Sequence, residues 1–220
     1  MVERMLGYRE TETLLGRYGI HLAPARLVHS GSEAMQAAVA IGFPVALKII
    51  SSEQTHKSDF GFLTLNLEDP QAVSLAAGSL LEKAGSMCME GLLVQKMAPG
   101  GVEILAGISQ DPQFGPLVAF GAGGTLVELV EDISLRLPPL SAWDAGQMLA
   151  ETRVWKLLQG YRQHPPADVK RLVELLVALA QLAIKESRTL VSLDLNPVFV
   201  LSAGQGLCFV DARAVVREEA

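Results

Sequence analysis

The chain has 220 residues, enough for one large domain or two small lobes, and half of them are apolar. Its net charge is −6, and no basic stripe typical of a nucleic-acid surface is evident. Anionic small ligands stay possible, because a local site can be positive on an acidic protein. The two cysteines lie far apart and show no disulfide or metal spacing. With no signal core and no long apolar span, we expect a cytoplasmic protein without a membrane partner.

The first half of the chain alternates helix and strand patterns. A helix is predicted from about Tyr8 to Tyr18, with Gly19 as its stop. Ser30 opens a second helix and has Glu33 three positions on, as in a capping box. The other elements predicted here are a strand over Val45–Ile50, a strand over Phe62–Leu67, a helix from Pro70 to about Lys83 and a strand over Leu92–Met97.

Two features of this half could carry chemistry. Lys48 is the one charge in an apolar strand. It either extends to solvent at the strand end or places an ammonium on a nucleotide phosphate. The polar loop from Ser51 to Gly61 contains His56, which is either an ordinary loop histidine or a functional one, since rigidly held loops often carry function.

The middle of the chain predicts strands over Val102–Ser109 and Leu117–Phe120. Glu103 is either a solvated strand residue or an acceptor for a ligand hydroxyl. The run Gly121–Gly124 leaves the second strand directly, and glycine there lets backbone N–H groups approach an anion. A tight turn would use the same glycines, and neither the dinucleotide nor the Walker spacing is present.

Helices dominate the next stretch. Ser141 caps a helix over Trp143–Leu149, and a short helix covers Trp155–Leu158. The longest helix begins at Asp168 and continues from Val169 to about Lys185. Its leucines recur at helical spacing and predict a face buried in the core.

The end of the chain predicts a β-hairpin, from Ser192–Leu201 to Leu207–Arg213. If Leu201 pairs with Gly206, Asn196 lies opposite Asp211, and Asp194 opposite Arg213. Side chains two apart share a face, so these four residues would crowd together. A carboxylate beside an amide oxygen suits Mg²⁺, although a surface hairpin with an Asp–Arg ion pair explains the same pattern. Pro197 has no N–H and predicts an edge or an irregularity.

Alternating strands and helices with several hairpins indicate an α/β or α+β protein, with a lobe boundary near Gly91. From about Tyr18 to Arg213 the chain also resembles a known family through an ordered series of short motifs. They are Phe43-Pro-Val-Ala-Leu-Lys-Ile, His56-Lys-Ser-Asp, Val94-Gln-Lys-Met, Gly101-Val-Glu-Ile, Asp111-Pro-Gln-Phe-Gly-Pro, Phe120-Gly-Ala-Gly-Gly, Arg136-Leu-Pro-Pro-Leu, Gly160-Tyr-Arg, Leu193-Asp-Leu-Asn-Pro and Val210-Asp-Ala-Arg. The family is the ATP-grasp subunit, or fused domain, of the NDP-forming acyl-CoA synthetases, typified by ADP-forming acetate–CoA ligase.

The resemblance implies an α+β, ATP-grasp fold: two lobes, each with a mainly antiparallel sheet and helices, and a nucleotide cleft between them. We expect a single ATP-grasp domain over residues 1–220. The small lobe would cover roughly 22–94, and the large lobe roughly 95–220 plus the N-terminal helix.

The resemblance also implies roles for individual residues. Those similar to nucleotide-binding positions are Lys48, Gln95, Lys96, Met97 and Glu103, together with Gly123 and Gly124 of the glycine loop. Those similar to Mg²⁺ ligands are Asn196 and Asp211. Asp194 falls where related ligases carry an acid near the phosphohistidine, and His56 resembles a second phosphoryl carrier.

The implied reaction converts acyl-CoA, ADP and phosphate into the free acid, ATP and CoA, and the reverse. The primary phosphohistidine and the CoA site belong to an α subunit or domain, so a hetero-oligomer using ATP/ADP and Mg²⁺ is expected. Phosphoryl transfer depends mainly on positioning and charge neutralisation. The alternative function is a regulatory or degenerate ATP-grasp domain fused to a protein lysine acetyltransferase, which the unusual Phe62 and Lys96 would favour.

Overall fold

The computed structural model describes residues 2–51, 61–124, 132–162 and 165–218. The chain divides into two units, one formed by Met1–Leu22 with Pro99–Ala220 and the other by Ala23–Ala98. Each unit combines an antiparallel sheet with helices, which confirms the predicted α+β class. The divisions between the two units fall between Leu22 and Ala23 and between Ala98 and Pro99.

The Ala23–Ala98 unit, which we call the small unit, contains a four-stranded sheet in the order β2-β5-β3-β4. Its elements are β2 (Ala25–Val28), α2 (Gly31–Ile41), β3 (Val45–Ile50), β4 (Leu63–Leu67), α3 (Pro70–Ala84) and β5 (Gly91–Lys96). Leu47 and Val94 belong to a core that also contains Ala37 of α2 and Leu80 of α3. The two helices therefore cover one face of this sheet.

Both helices of the small unit begin at side-chain caps. The Ser30 hydroxyl accepts a hydrogen bond from Glu33 N, as predicted, while the Glu33 carboxylate accepts from His29 N. Asp69 caps α3 by accepting from Ala72 N, and Pro70 occupies the first helical position. Gly42 ends α2 with φ +86°, a conformation that favours glycine.

The other unit, which we call the large unit, contains a seven-stranded sheet in the order β1-β11-β9-β6-β7-β8, with β10 also paired to β9. Its strands are β1 (Val2–Met5), β6 (Val102–Asp111), β7 (Gly115–Ala122), β8 (Ile133–Arg136), β9 (Leu190–Val200), β10 (Leu207–Phe209) and β11 (Arg213–Glu218). Its helices are α1 (Tyr8–Gly16), α4 (Ala142–Ala150), α5 (Trp155–Leu158) and α6 (Val169–Lys185).

The core of the large unit lies between this sheet and helix α6. Leu172, Leu176 and Leu179 of α6 are fully buried, and they share one cluster with Ile104 of β6 and Phe120 of β7. The apolar stripe predicted for the longest helix is therefore confirmed as core. Within the described residues, no helix has the length and apolar character needed to cross a membrane.

Alternation along the strands assigns the remaining side chains to the opposite face of the large sheet. Because Ile104, Ala106 and Ile108 of β6 point into the core, the residues between them, Leu105 and Gly107, point the other way. We call this second side the outer face. It carries most of the predicted site residues of the large unit.

Candidate functional site

The C-terminal hairpin has the register that the sequence predicts. Leu201 N donates to Gly206 O at 3.0 Å, and Arg213 stands opposite Asp194. The ladder is interrupted between β10 and β11, where Asp211 lies, so the predicted position of Asp211 opposite Asn196 is not part of the paired strands. The predicted irregularity at Pro197 is also present, since β9 shifts register against β6 next to this residue.

Asn196 contacts the glycine loop. Its Oδ1 accepts a hydrogen bond from Gly124 N at 3.2 Å, and Gly123 N donates to the Glu103 carbonyl at 3.1 Å. Gly124 has φ +70°, and a Cβ there would overlap the Glu103 carboxylate. The structure thus brings Glu103, Gly123, Gly124 and Asn196 together. The backbone N–H groups of Gly123 and Gly124 already donate within the protein. The glycines therefore let a ligand come close to the backbone, but these two N–H groups are not free to bind an anion.

Three charged residues, Asp194, Asp211 and Arg213, lie at the end of the hairpin away from its turn. The Asp194 residue is exposed, yet surrounding protein atoms desolvate its carboxyl and raise its pKa above the usual range. Arg213 opposes this rise, and the like charge of Asp211 adds to it. Asp194, Arg213 and Asp211 are therefore close enough to interact, as the register predicts.

Asn196 and Asp211 both carry oxygen atoms of the type that Mg²⁺ takes as ligands. Asn196 Oδ1 has one described donor, and a carbonyl oxygen has two lone pairs, so it can still bind a cation. The described part of the chain contains no group of three or more His, Cys, Asp or Glu side chains able to hold a metal. Two protein oxygens suit Mg²⁺, which usually completes its octahedron with water and substrate phosphates.

A cavity of about 630 Å³ opens beside Glu103 in the large unit. Its walls include Gly101, Gly123, Arg153 and Leu201. Such a volume falls within the range of small-molecule sites. Glu103 is exposed, so its carboxylate is available to accept hydrogen bonds from a ligand hydroxyl.

The small unit buries two polar side chains on one face of its sheet. Lys48 stands opposite Leu93, and Gln95 stands opposite Ala46, so both point away from α2 and α3. Lys48 is 5% exposed and has a partner within the chain, whereas Gln95 is 1% exposed. Gln95 Nε2 has no hydrogen-bond acceptor among the described residues. A buried amide donor without an acceptor costs about 1–3 kcal/mol, so a ligand atom that accepts from it would be stabilising.

Lys96 and Met97 follow Gln95 but are held by the small unit itself. Lys96 Nζ donates to Gly42 O at 3.0 Å and to Phe43 O at 2.7 Å. Met97 N donates to Pro44 O at 3.2 Å. The Lys96 ammonium therefore stabilises the connection between α2 and β3, which is a structural role. The remaining predicted residue, His56, lies outside the described residues.

Sequence reasoning did not single out Asp132, which fixes the surroundings of the glycine loop. Its carboxylate accepts from Arg153 N at 2.7 Å and Val154 N at 2.9 Å, and its carbonyl accepts from Ala122 N at 3.2 Å. It thereby joins the end of β7 to the start of α5. All three donors are backbone groups distant in sequence, so no local pattern could have indicated this role.

Comparison with known families agrees with this arrangement. A sequence model of the ATP-grasp domain matches residues 2–216, and the chain belongs to this family. It is 33% identical over 212 residues to the β subunit of ADP-forming acetate–CoA ligase II of Pyrococcus furiosus, covering 94% of this chain and 90% of that subunit. It is 38% identical over 209 residues to ADP-forming acetate–CoA ligase I of Archaeoglobus fulgidus, covering 94% of this chain but 30% of that protein.

Solved structures give the same result. Acetyl-coenzyme A synthetase 1 of Ca. Korarchaeum cryptofilum, solved with coenzyme A and Ca-AMPCP, superposes with a TM-score of 0.91 at 38% identity, covering 97% of this chain and 94% of that one. Another structure of that protein contains Mg-AMPPCP, with its phosphohistidine segment pointing towards the nucleotide binding site (TM-score 0.84, 37% identity, 97% and 93% covered). The predicted family is therefore confirmed, and these relatives do not support the acetyltransferase-fusion alternative.

Proposed function

We propose that this chain is the nucleotide-binding part of an ADP-forming acyl-CoA synthetase. It would transfer a phosphoryl group between a phosphohistidine and ADP with Mg²⁺, and a CoA-binding α subunit or domain would complete the reaction. The observation that carries the proposal is the contact set of Asn196 Oδ1, Gly124 and Glu103. Some relatives are separate β subunits, and others are longer proteins of which this chain covers about 30%. Both kinds support a function that requires additional protein.

Each unit supplies its own groups in this proposal. In the large unit, Asn196 and Asp211 hold Mg²⁺, which neutralises charge on the phosphates when bound. Glu103 accepts hydrogen bonds from nucleotide hydroxyls, and Gly123 and Gly124 form the adjacent wall of the site. In the small unit, Lys48 is proposed to supply positive charge to a phosphate, and the orphaned Gln95 amide to donate to the nucleotide. Backbone groups of Lys96 and Met97 are the proposed neighbours of the base.

Asp194 and His56 are proposed to act on the transferred group. Asp194 stands opposite Arg213 on the outer face, two residues from Asn196, where an acidic group can orient an incoming phosphohistidine. His56 is proposed as a second phosphoryl carrier. If His56→Ala leaves ATP formation from acetyl-CoA, ADP and phosphate unchanged with an α subunit present, that role is excluded.

Calorimetric titration with Mg·ATP tests the nucleotide site. Asn196→Ala and Asp211→Asn each remove or weaken one metal oxygen, and we expect about 10–100-fold weaker binding, as when a charged hydrogen bond is lost. Glu82→Gln, on an exposed position of α3, serves as the control and should bind as the wild type does. Chelation of Mg²⁺ should bring wild type and variants to the same weak affinity. Absence of binding by the wild-type chain at millimolar Mg·ATP would refute the proposal.

A further inference from the structure

The outer face of the large sheet changes from charged to apolar along one line of paired residues. Arg213, Asp194, Gly107, Ala119 and Leu135 stand directly opposite one another across β11, β9, β6, β7 and β8. Neighbouring strands are about 4.8 Å apart, so the three steps from Asp194 to Leu135 span about 14 Å. A charged cluster and an apolar end therefore share one continuous surface.

The apolar end is unusually exposed. Ile133, Leu135 and Leu137 are each 49% exposed, and Leu105 and Leu117 are half-buried on the same face. We call these five residues the apolar platform. β8 is a short edge strand that pairs with β7 alone among the described strands. Ile133 and Leu135 of β8 and Leu137 just after it alternate along this edge and form an exposed apolar patch, which marks a contact surface.

Glycines keep the path between the platform and Asp194 flat. A Cβ at Gly107 would overlap the Leu193 carbonyl, and one at Gly121 would overlap the Asp132 carbonyl. Both glycines point to the outer face, so no side chain rises from the sheet there. Between Asp194 and Leu135, the row of paired residues therefore carries only the methyl group of Ala119.

We infer that the apolar platform docks the partner segment that carries the phosphohistidine, an inference that rests on the proposed function. In that function the phosphorylated side chain must reach Asp194, which lies on this same face. A span of about 14 Å corresponds to about four extended residues. A partner segment with apolar residues about four positions from its histidine would thus anchor on Leu135 while the histidine meets Asp194. The relatives of which this chain is about 30% contain the additional protein that such a partner requires.

The experiment compares Leu135→Glu with Leu75→Glu, which adds the same charge at a leucine that is 78% exposed on α3. The probe is the CoA-binding subunit that accompanies the Pyrococcus furiosus β subunit, titrated into each variant in ATP formation from acetyl-CoA, ADP and phosphate. We expect Leu135→Glu to raise the partner concentration needed for half-maximal rate by about tenfold or more, as for a central apolar contact. The rate at saturating partner and the Kd for Mg·ATP should be unchanged. Leu75→Glu should match the wild type.

Leu135→Ala is a second variant that adds no charge to the strand, in case the glutamate variant misfolds. It should weaken partner binding by a smaller factor than Leu135→Glu. Equal partner affinity in all variants, or failure of the wild type to bind the partner, would overturn the inference. So would a wild-type homodimer that Leu135→Glu converts into monomers, because the face would then bind a second copy. Loss of Mg·ATP binding by the wild type would instead overturn the proposed function itself.

Discussion

Replacing Gly124 with alanine tests whether the glycine loop positions Glu103 for nucleotide. Gly124 has φ +70°, where a residue with a side chain costs about 1–2 kcal/mol. An ideal Cβ there would overlap Glu103 Oε2, since ordinary contacts lie at about 3.5 Å. The carboxylate must therefore move, which its flexible side chain can do at little cost.

The two consequences of this substitution can be measured separately. We expect a stability loss of about 1–2 kcal/mol, which lowers the Tm of a chain of this size by about 2–8 °C. We expect Mg·ATP to bind about 10–100-fold more weakly, because displaced Glu103 loses its charged hydrogen bonds to the ligand. Thermal unfolding reports the first effect and calorimetric titration the second.

Gly146→Ala is the matched control. Gly146 lies within α4, and a Cβ there meets no atom within 4 Å, so alanine should stabilise the helix by about 0.5–1 kcal/mol without changing nucleotide affinity. If Gly124→Ala binds Mg·ATP as tightly as the wild type, Glu103 does not contact the nucleotide from this position. An unchanged Tm would refute the strain argument independently.

Three further substitutions test structural contacts by chemical or thermal unfolding. Lys96→Met removes two hydrogen bonds to backbone carbonyls and should destabilise the chain by about 1–3 kcal/mol, while Lys170→Met, at an exposed position of α6, should have little effect. Asp168→Ala leaves two backbone donors, Arg171 N and Gly206 N, without their acceptor, and should cost about 2–4 kcal/mol; a cost below about 0.5 kcal/mol would show that water replaces both contacts. Asp132→Ala frees two backbone N–H groups at the start of α5 and should cost a similar amount, with faster amide hydrogen exchange there as the specific signature.

The elements with strong local signals were predictable from the sequence. Helix α6 has the predicted bounds because its leucine stripe and its Asp168 cap are both local. The C-terminal hairpin was predictable because a single pairing, Leu201 with Gly206, fixes all the others by counting. Alternation then identified Asp194 and Asn196 as neighbours on the outer face.

Elements that depend on distant partners were not predictable. β1 forms by pairing with β11 at the other end of the chain, and its four residues show no strand pattern of their own. The role of Lys96 depends on carbonyls more than fifty positions away, so no local pattern indicates it. The orphaned amide of Gln95 became evident only once its burial was known.

The pairing of β1 with β11 places Val2 opposite Glu218. The first and last strands of the large unit therefore lie side by side, at one margin of the sheet. A protein built this way can be joined to other modules at its beginning, at its end or as an internal insert without rethreading any strand. The same framework therefore suits free-standing subunits and covalent fusions alike, and both forms occur among its relatives.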